Sequence, residues 1–273
     1  MSTPVIAFVG AGNMAASIIG GLVDAGHPAQ RIRAADPHAE TLQRLSATAP
    51  VIACGDNNEA VAGADVVILA VKPQVMATVC ADIAPALANG NTLVISIAAG
   101  ITLESMQGWL GETTAIVRCM PNTPALLGCG ASALYASAQV SAQQQEWAAS
   151  ILDAVGITEW VESEADLDPV TALSGSGPAY FFLFMEAMID AAVEQGLPRD
   201  TATRLTLQTC LGASRMALEN EVDLAELRRR VTSPGGTTQA AVESFESSGL
   251  RDLVGSAMQA AADRARAMAK EMG

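Results

Sequence analysis

The first fifteen residues constrain the fold of this chain more than any other segment. An uncharged, β-branched run at residues 5–9 leads into a glycine turn, Gly10-Ala11-Gly12-Asn13-Met14-Ala15. An apolar helical pattern follows the turn, so free N–H groups at the start of that helix are available to bind phosphate. Gly12 has no Cβ and lets a pyrophosphate approach the backbone, and Ala15 lets the helix pack closely on the strand. This order of elements predicts a dinucleotide site at residues 10–15.

Strand and helix patterns alternate through the first part of the chain. Further strands are predicted at residues 31–35, 51–53, 64–71, 92–97, 115–119, 131–137 and 157–161. Helices are predicted between them at residues 38–47, 74–87, 102–110 and 141–154. Such alternation is typical of βαβ units and of a mostly parallel sheet.

Strand patterns vanish beyond about residue 165, and the rest of the chain is helical. These helices are predicted at residues 178–195, 199–219, 223–230, 238–247 and 250–271. We therefore predict an α/β protein, with a Rossmann-like dinucleotide-binding domain at residues 1–164 and an all-helical domain at residues 165–273.

The helix predicted at residues 178–195 is apolar nearly all round. Its charges, Glu186, Asp190 and Glu194, fall four residues apart and form one thin stripe. A domain of about 100 residues buries too small a fraction of its surface to cover such a helix alone. Two interpretations of this helix are open, a central helix of the core and a helix in a subunit interface, and the pattern favours the interface.

Charge and cysteine usage exclude several classes of partner. A formal net charge of −14 argues against binding to nucleic acid and to anionic membranes. The five cysteines are odd in number and lack C-x-x-C spacing, which is typical of reduced thiols in a cytoplasmic protein rather than metal ligands. We expect no metal, no signal peptide and no membrane span, since the most apolar later stretch, residues 179–193, contains two carboxylates.

Two glycine-rich turns in the second half carry the chemical information. Residues 173–178 and residues 232–238 each precede a predicted helix and supply small hydroxyls and exposed N–H groups. Such a helix start binds a small carboxylate without needing a lysine. Ser, Thr and Gly are also ordinary helix-capping residues, so one turn alone would be read as a cap. Two such turns after a dinucleotide domain favour a substrate pocket.

Proton donors are scarce in this chain. Its candidates are two histidines, two lysines and two tyrosines: His27, His38, Lys72, Lys270, Tyr135 and Tyr180. Reduction of a carbonyl requires a donor for the alkoxide, and only Tyr180 lies beside the glycine-rich turns. A protonated imine is already electrophilic, and its nitrogen keeps its proton after hydride arrives. The scarcity of donors therefore favours reduction of C=N over C=O.

Six motifs, in order and spacing, resemble the pyrroline-5-carboxylate reductase family over essentially the whole chain. They are the glycine turn at 10–14, Ala70-Val71-Lys72-Pro73, Ser96-Ile97-Ala98-Ala99-Gly100, Met120-Pro121-Asn122-Thr123-Pro124, the segment 174–180 and the segment 233–238. The resemblance implies hydride transfer from NADPH or NADH to C5 of 1-pyrroline-5-carboxylate, which gives L-proline. It also implies a Rossmann domain followed by a helical dimerisation domain, in intertwined dimers that often assemble into decamers.

The resemblance also implies roles for individual residues. The cofactor would be held by Gly10, Ala11, Gly12, Asn13, Met14, Ala15, Asn57, Ala70, Val71, Lys72, Pro73, Ala98, Ala99, Gly100, Asn122 and Thr123. The substrate would be held by Ser176, Glu221, Ser233, Gly235, Gly236, Thr237 and Thr238. Thr238 would act as the catalytic residue by hydrogen bonding to the ring nitrogen.

Asp36 departs from the family pattern, in which a Ser or Thr suited to a 2′-phosphate is frequent at this position. It follows the second predicted strand, 24 residues after Gly12. An acid there accepts hydrogen bonds from the ribose hydroxyls of NAD and repels the 2′-phosphate of NADP. We therefore expect Asp36 to bind the cofactor, with a slight preference for NADH or use of both.

Three alternatives remain open from the sequence. A β-hydroxyacid dehydrogenase should carry a lysine early in the helical domain, but no lysine lies between Lys72 and Lys270. A reductase of a six-membered cyclic imine would share every motif. A non-catalytic nucleotide sensor would keep the first turn but would not need the turn at residues 233–238.

Overall fold

The computed structural model describes residues 3–88 and 91–272. The strands are β1 (Ile6–Val9), β2 (Ile32–Ala35), β3 (Ile52–Ala53), β4 (Val66–Leu69), β5 (Leu93–Ser96), β6 (Ala115–Met120), β7 (Gly130–Ala136) and β8 (Gly156–Trp160). The helices of the first half are α1 (Asn13–Asp24), α2 (Ala39–Thr48), α3 (Asn57–Val61), α4 (Met76–Leu87), α5 (Leu103–Leu110) and α6 (Ala142–Asp153). Those of the second half are α7 (Leu167–Val170), α8 (Gly177–Glu194), α9 (Arg199–Leu218), α10 (Leu224–Arg230), α11 (Thr237–Ser247) and α12 (Leu250–Met272).

The described strands form one sheet in the order β3-β2-β1-β4-β5-β6-β7-β8. Strands β1 to β6 are parallel, β7 runs antiparallel to β6, and β8 runs parallel to β7. The strand order reverses between β1 and β4, and ligands of such sheets bind at the carboxyl ends of the strands beside this point. The predicted Rossmann-like, mostly parallel sheet is therefore confirmed.

Both faces of the sheet are covered, which explains the continuous apolar strands of the sequence. All four residues of β1, of β4 and of β5 are buried. One face packs on α1 and α6, and the opposite face packs on α4 and α5. The core fixes the carboxyl ends of the strands, where the predicted cofactor residues lie.

The chain separates into two compact units. The first consists of residues 1–176 together with 260–273, and the second of residues 177–259. The first unit extends beyond residue 164 because Leu167 and Ala172 are buried and because Met272 packs on the buried cluster at the second face of the sheet. The predicted domain division after residue 164 differs from these units and stays a prediction.

The second unit is helical and leaves large apolar side chains exposed. Phe184 and Phe245 are in ring contact, with centroids 6.0 Å apart. Elsewhere on α8, however, Phe181, Phe182 and Leu183 are 62%, 64% and 66% exposed. Helix α8 is thus not a core helix of a single chain, which supports the interface reading over its alternative. Within the described residues, no helix combines the length and hydropathy needed to cross a membrane.

Candidate active site

The glycine turn has the geometry expected of a phosphate-binding loop. Gly10 has φ +94°, and a Cβ there would lie 2.6 Å from the carbonyl oxygen of Ala70, so only glycine fits between β1 and the end of β4. A Cβ on Gly12 would meet nothing within 4 Å, which leaves open space above the start of α1. Among residues 3–88 and 91–272, no side chain caps α1. Its first N–H groups are therefore positioned to bind an anion.

Asp36 holds the glycine turn from the end of β2. Its Oδ2 accepts a hydrogen bond from the N–H of Ala11 at 2.9 Å, and its Oδ1 accepts one from the N–H of His38 at 2.9 Å. One carboxylate thus joins the glycine turn to the start of α2. The sequence indicated only a ribose contact for Asp36, because a bond to a residue 25 positions away leaves no local signal.

An open cavity of about 820 Å³ lies beside this carboxylate. It is lined by residues from the ends of β1, β2 and β4 and from α3 and α4, among them Gly10, Asp36, Asp56, Asn57, Val71 and Asp82. Asn57 is the first residue of α3, and Asp56 caps that helix by accepting the N–H of Glu59 at 2.8 Å. The structure therefore brings together four of the predicted cofactor positions, Gly10, Asp36, Asn57 and Val71.

The remaining predicted cofactor positions follow neighbouring parallel strands. Residues 70–73 follow β4, residues 98–100 follow β5, and Asn122 and Thr123 follow β6. The carboxyl ends of these strands meet at one edge of the sheet. The Lys72 side chain is exposed at this edge, as is Thr123.

The amide of Asn122 is engaged with the protein itself. Its Oδ1 accepts a hydrogen bond from the N–H of Ala131 at 2.9 Å, and its Nδ2 donates to the carbonyl oxygen of Ser174 at 3.1 Å. The residue is 9% exposed. Asn122 therefore ties the end of β6 to β7 and to the segment before α8, and its contact with a cofactor stays a prediction.

A second cavity of about 420 Å³ lies behind the residues that follow β5. Its walls include Ala98, Ala99, Gly100, Arg118, Asp168, Thr171 and Met268. Burial raises the pKa of the Asp168 carboxyl, against the opposing effect of the Arg266 and Arg118 charges. Arg118 Nη1 lies 2.6 Å from Glu164 Oε1. The sequence did not predict this cluster of Arg118, Glu164 and Asp168, although Arg118 stands out as a charged residue within the apolar strand β6.

The first glycine-rich segment differs from its prediction. Residues 171–175 form a π-helical turn that follows α7, and the N–H of Ser176 donates to the carbonyl oxygen of Thr171 at 2.8 Å. A Cβ on Gly175 would lie 2.5 Å from Met120 Cε, so the glycine serves close packing. The prediction that this turn opens a helix with free N–H groups is wrong, because the chain is already helical there. A substrate contact of the Ser176 side chain stays a prediction.

The second glycine-rich segment opens a helix, as predicted, but the N–H groups of Gly235 and Gly236 already have acceptors, and contact of this segment with a substrate stays a prediction. Gly235 has φ +71°, and Gly236 is the N-cap of α11. No side chain of the described residues caps that helix. The N–H of Gly235 donates to Gln239 Oε1 at 2.7 Å, and the N–H of Gly236 donates to the carbonyl oxygen of Ser233 at 3.0 Å. Within the described part of the chain, the N–H groups of residues 237–239 have no acceptor. They are available to bind the carboxylate of a ligand.

The other predicted substrate residues also lie in the second unit. Glu221 is exposed in the loop between α9 and α10, and Ser233, Thr237 and Thr238 are exposed around the start of α11. The first unit holds all of the predicted cofactor residues and Ser176.

The glycine turn at the sheet switch point and the open start of α11 are features expected of a dinucleotide-dependent oxidoreductase with a helical second unit. Residues 164–268 match the family model for pyrroline-5-carboxylate reductase dimerisation. Residues 5–100 match the model for NADP oxidoreductase, coenzyme F420-dependent. The chain belongs to the pyrroline-5-carboxylate reductase family.

Relatives of this chain match it from end to end. A pyrroline-5-carboxylate reductase of Pseudomonas aeruginosa is 58% identical over 273 residues, which is 100% of both chains. The structure of a pyrroline-5-carboxylate reductase from Coxiella burnetii has a TM-score of 0.95 at 44% identity, over 98% of this chain and 99% of that one. A Plasmodium falciparum pyrroline carboxylate reductase with NADP bound has a TM-score of 0.86 at 30% identity, over 98% and 99% of the two chains.

Proposed function

We propose that this protein reduces 1-pyrroline-5-carboxylate to L-proline with NADPH or NADH, the last step of proline biosynthesis. The observation that carries the proposal is the open N-terminus of α11, in a chain that belongs to the reductase family. Three N–H groups without an acceptor in the described chain suit a small carboxylate. The substrate has one carboxylate beside a cyclic C=N bond.

The cofactor is held by the first unit. Residues 10–15 bind the pyrophosphate, because α1 is uncapped and Gly12 leaves space above its first turn. Asp36 and Asn57 contact the adenosine half, and residues 70–73, 98–100, 122 and 123 border the nicotinamide half. When bound, the reduced nicotinamide supplies the hydride. The chain itself binds the cofactor and orients its reactive ring.

The substrate is held mainly by the second unit. The N–H groups of residues 237–239 and the side chains of Ser233 and Thr237 bind the carboxylate, and Glu221 is a further substrate residue of this unit. Ser176, at the end of the first unit, is proposed as a substrate residue as well. The Thr238 hydroxyl hydrogen bonds to the ring nitrogen. A protonated imine that takes a hydride at C5 becomes an amine and needs no further proton, so a neutral hydroxyl is sufficient.

The exposed face of α8 supports a homodimer formed through the helical unit, which assembles further into a decamer. A second copy of the chain would cover Phe181, Phe182 and Leu183, which water otherwise contacts. We place the protein in the cytoplasm. The five cysteines are free thiols, three of them buried, which suits a reducing compartment.

The decisive experiment measures oxidation of NADPH and of NADH by the purified protein with three kinds of substrate. These are 1-pyrroline-5-carboxylate, its six-membered-ring homologue, and 2-keto and 3-keto acids. Turnover with the five-membered imine, and little with keto acids, is the expected result. Comparable kcat/KM values for keto acids would overturn the imine assignment, and preference for the larger ring would reassign the substrate.

A further inference from the structure

We infer that Glu164 is a positioning residue for hydride transfer, because it fixes the loop at residues 97–102. This inference rests on the proposed function, in which Ala98 to Gly100 border the nicotinamide. Glu164 acts through the start of α5, which follows this loop directly.

One carboxylate oxygen makes two strong contacts. Glu164 Oε1 accepts the N–H of Leu103 at 2.7 Å and the Nη1–H of Arg118 at 2.6 Å. The Arg118 side chain is 12% exposed and the Glu164 side chain 31% exposed, so water screens the pair only in part. Hydrogen bonds to an ionised group are about twice as strong as neutral ones. A single side chain thus joins α5, β6 and the segment that follows β8.

The bond to Leu103 satisfies a helix N-terminus. Leu103 is the first residue of α5, and its N–H is one of those that a helix leaves without a partner. Thr102 accepts the N–H of Ser105 at 3.1 Å, so it caps a different position. Glu164 therefore complements this cap, and its negative charge is favourable at this end of the helix.

Residues 97 and 100 of the loop are held by further contacts. The N–H of Ile97 donates to the carbonyl oxygen of Leu69 at 3.2 Å, which fixes the loop beside β4. Gly100 has φ +76°, and a Cβ there would lie 3.4 Å from Met268 Cβ. The far end of the loop is held by the buried side chain of Ile101 and by the bond from Leu103 to Glu164. Ala98, Ala99 and Gly100 have no side-chain functional group, so their position must be set by contacts behind them.

The chemistry makes this position important. Hydride transfer needs the nicotinamide and the imine carbon near contact distance, and a misplacement of about 1 Å can cost roughly 100-fold in rate. Releasing the start of α5 lets the loop move, and the nicotinamide ring loses the contacts with residues 98–100 that fix its position. Binding of the dinucleotide depends mainly on the pyrophosphate loop and changes little.

The test compares Glu164→Ala and Glu164→Gln with Glu162→Ala. Glu162 is an exposed carboxylate two residues away, so it controls for the change in surface charge. We expect Glu164→Ala to lower kcat for pyrroline-5-carboxylate about 10- to 100-fold while KM for both substrates stays within about threefold. In Glu164→Gln the amide oxygen can take the place of Oε1 and accept from both donors, so this variant loses the negative charge and should lose less activity. Glu162→Ala should match the wild type.

A kinetic isotope effect separates positioning from folding. With dinucleotide deuterated at the transferred position, the isotope effect on kcat should rise in Glu164→Gln, because hydride transfer becomes more rate-limiting. A lower melting temperature with unchanged kcat and isotope effect would overturn the inference. If Glu164→Ala does not fold, Glu164→Gln decides the matter by the same criteria. An inactive wild type would instead refute the proposed function.

Discussion

Replacement of Asp36 separates two roles that one carboxylate can have in cofactor binding. The carboxylate accepts the N–H of Ala11 and the N–H of His38, each at 2.9 Å. An Asp36→Asn variant has nearly the same shape, but its NH₂ group must face one of these two N–H donors. The variant therefore loses one hydrogen bond to a charged group and also loses the negative charge beside the 820 Å³ cavity.

The two losses have different signatures. A hydrogen bond to a charged group contributes about 1.5–3 kcal/mol, so a loosened glycine turn should lower kcat/KM for both dinucleotides roughly 10- to 100-fold. Removing a like charge near a 2′-phosphate is worth about 1.4 kcal/mol at a partly exposed site. The ratio of NADPH to NADH efficiency should therefore rise by about tenfold if Asp36 also faces the ribose.

The assay is steady-state reduction of pyrroline-5-carboxylate with each dinucleotide varied in turn. Asp82→Asn is the matched control, since Asp82 lines the same cavity but contacts Asn58 instead of the glycine turn. Unchanged efficiency with both dinucleotides in Asp36→Asn would refute the role of Asp36 in holding the turn. An unchanged ratio would mean that Asp36 does not contact the ribose, and a wild type that strongly prefers NADPH would overturn the preference for NADH.

Three further predictions test the rest of the molecule. Thr238→Ala should lower kcat/KM for the imine roughly 10- to 100-fold with little change in dinucleotide affinity, and Thr238→Ser should keep most of the activity. A fully active alanine variant would show that Thr238 has no role in catalysis and serves only in the helix. Phe181→Asp should weaken subunit association by at least about 30-fold, or about 2 kcal/mol. Light scattering across a dilution series measures this effect, and a molar mass equal to that of the wild type at every concentration would exclude Phe181 from the interface. Burial raises the pKa of Asp168 in the folded protein above its usual 3.8. Folding is therefore favoured when this carboxyl is protonated, and the protein loses stability as the pH rises through the pKa that Asp168 has in the folded state. Asp168→Asn should therefore melt at a higher temperature than the wild type at pH 7 and not at pH 3, whereas a lower melting temperature at pH 7 would show that the ionised carboxyl stabilises the fold.

The strands and most helices could be predicted from sequence because their signals are local. Buried parallel strands appear as uninterrupted apolar runs, as in β4, and long helices show their periodicity over several turns. Helix α3 was not predicted, since five residues give too short a pattern. The π-helical turn at residues 171–175 was also missed, because its Ser and Gly residues are equally typical of a helix start.

The candidate site was predictable only in part, for a similar reason. The glycine turn and the start of α11 are contiguous segments, so their chemistry can be seen in the sequence. The contacts of Asp36 with Ala11 and of Glu164 with Arg118 join residues 25 and 46 positions apart. The sequence around a lone carboxylate in a loop does not indicate which distant residue it contacts. These contacts emerge only once the sheet order is known.

The first unit is made of two separate parts of the chain, residues 1–176 and residues 260–273, and the ribosome completes them at different times. Residues 177–259 lie between its two parts. At about 5–20 residues per second, synthesis of the last part therefore begins roughly 4 to 17 seconds after residue 176 is added. During that interval Met268 is absent from its place beside Gly100, and the surface it covers is open to solvent. A chain stalled on the ribosome before residue 260 should therefore carry a formed sheet, but the loop that contains Gly100 should lack the cover of Met268. Such a nascent chain should be more sensitive to protease near Gly100 than the finished protein.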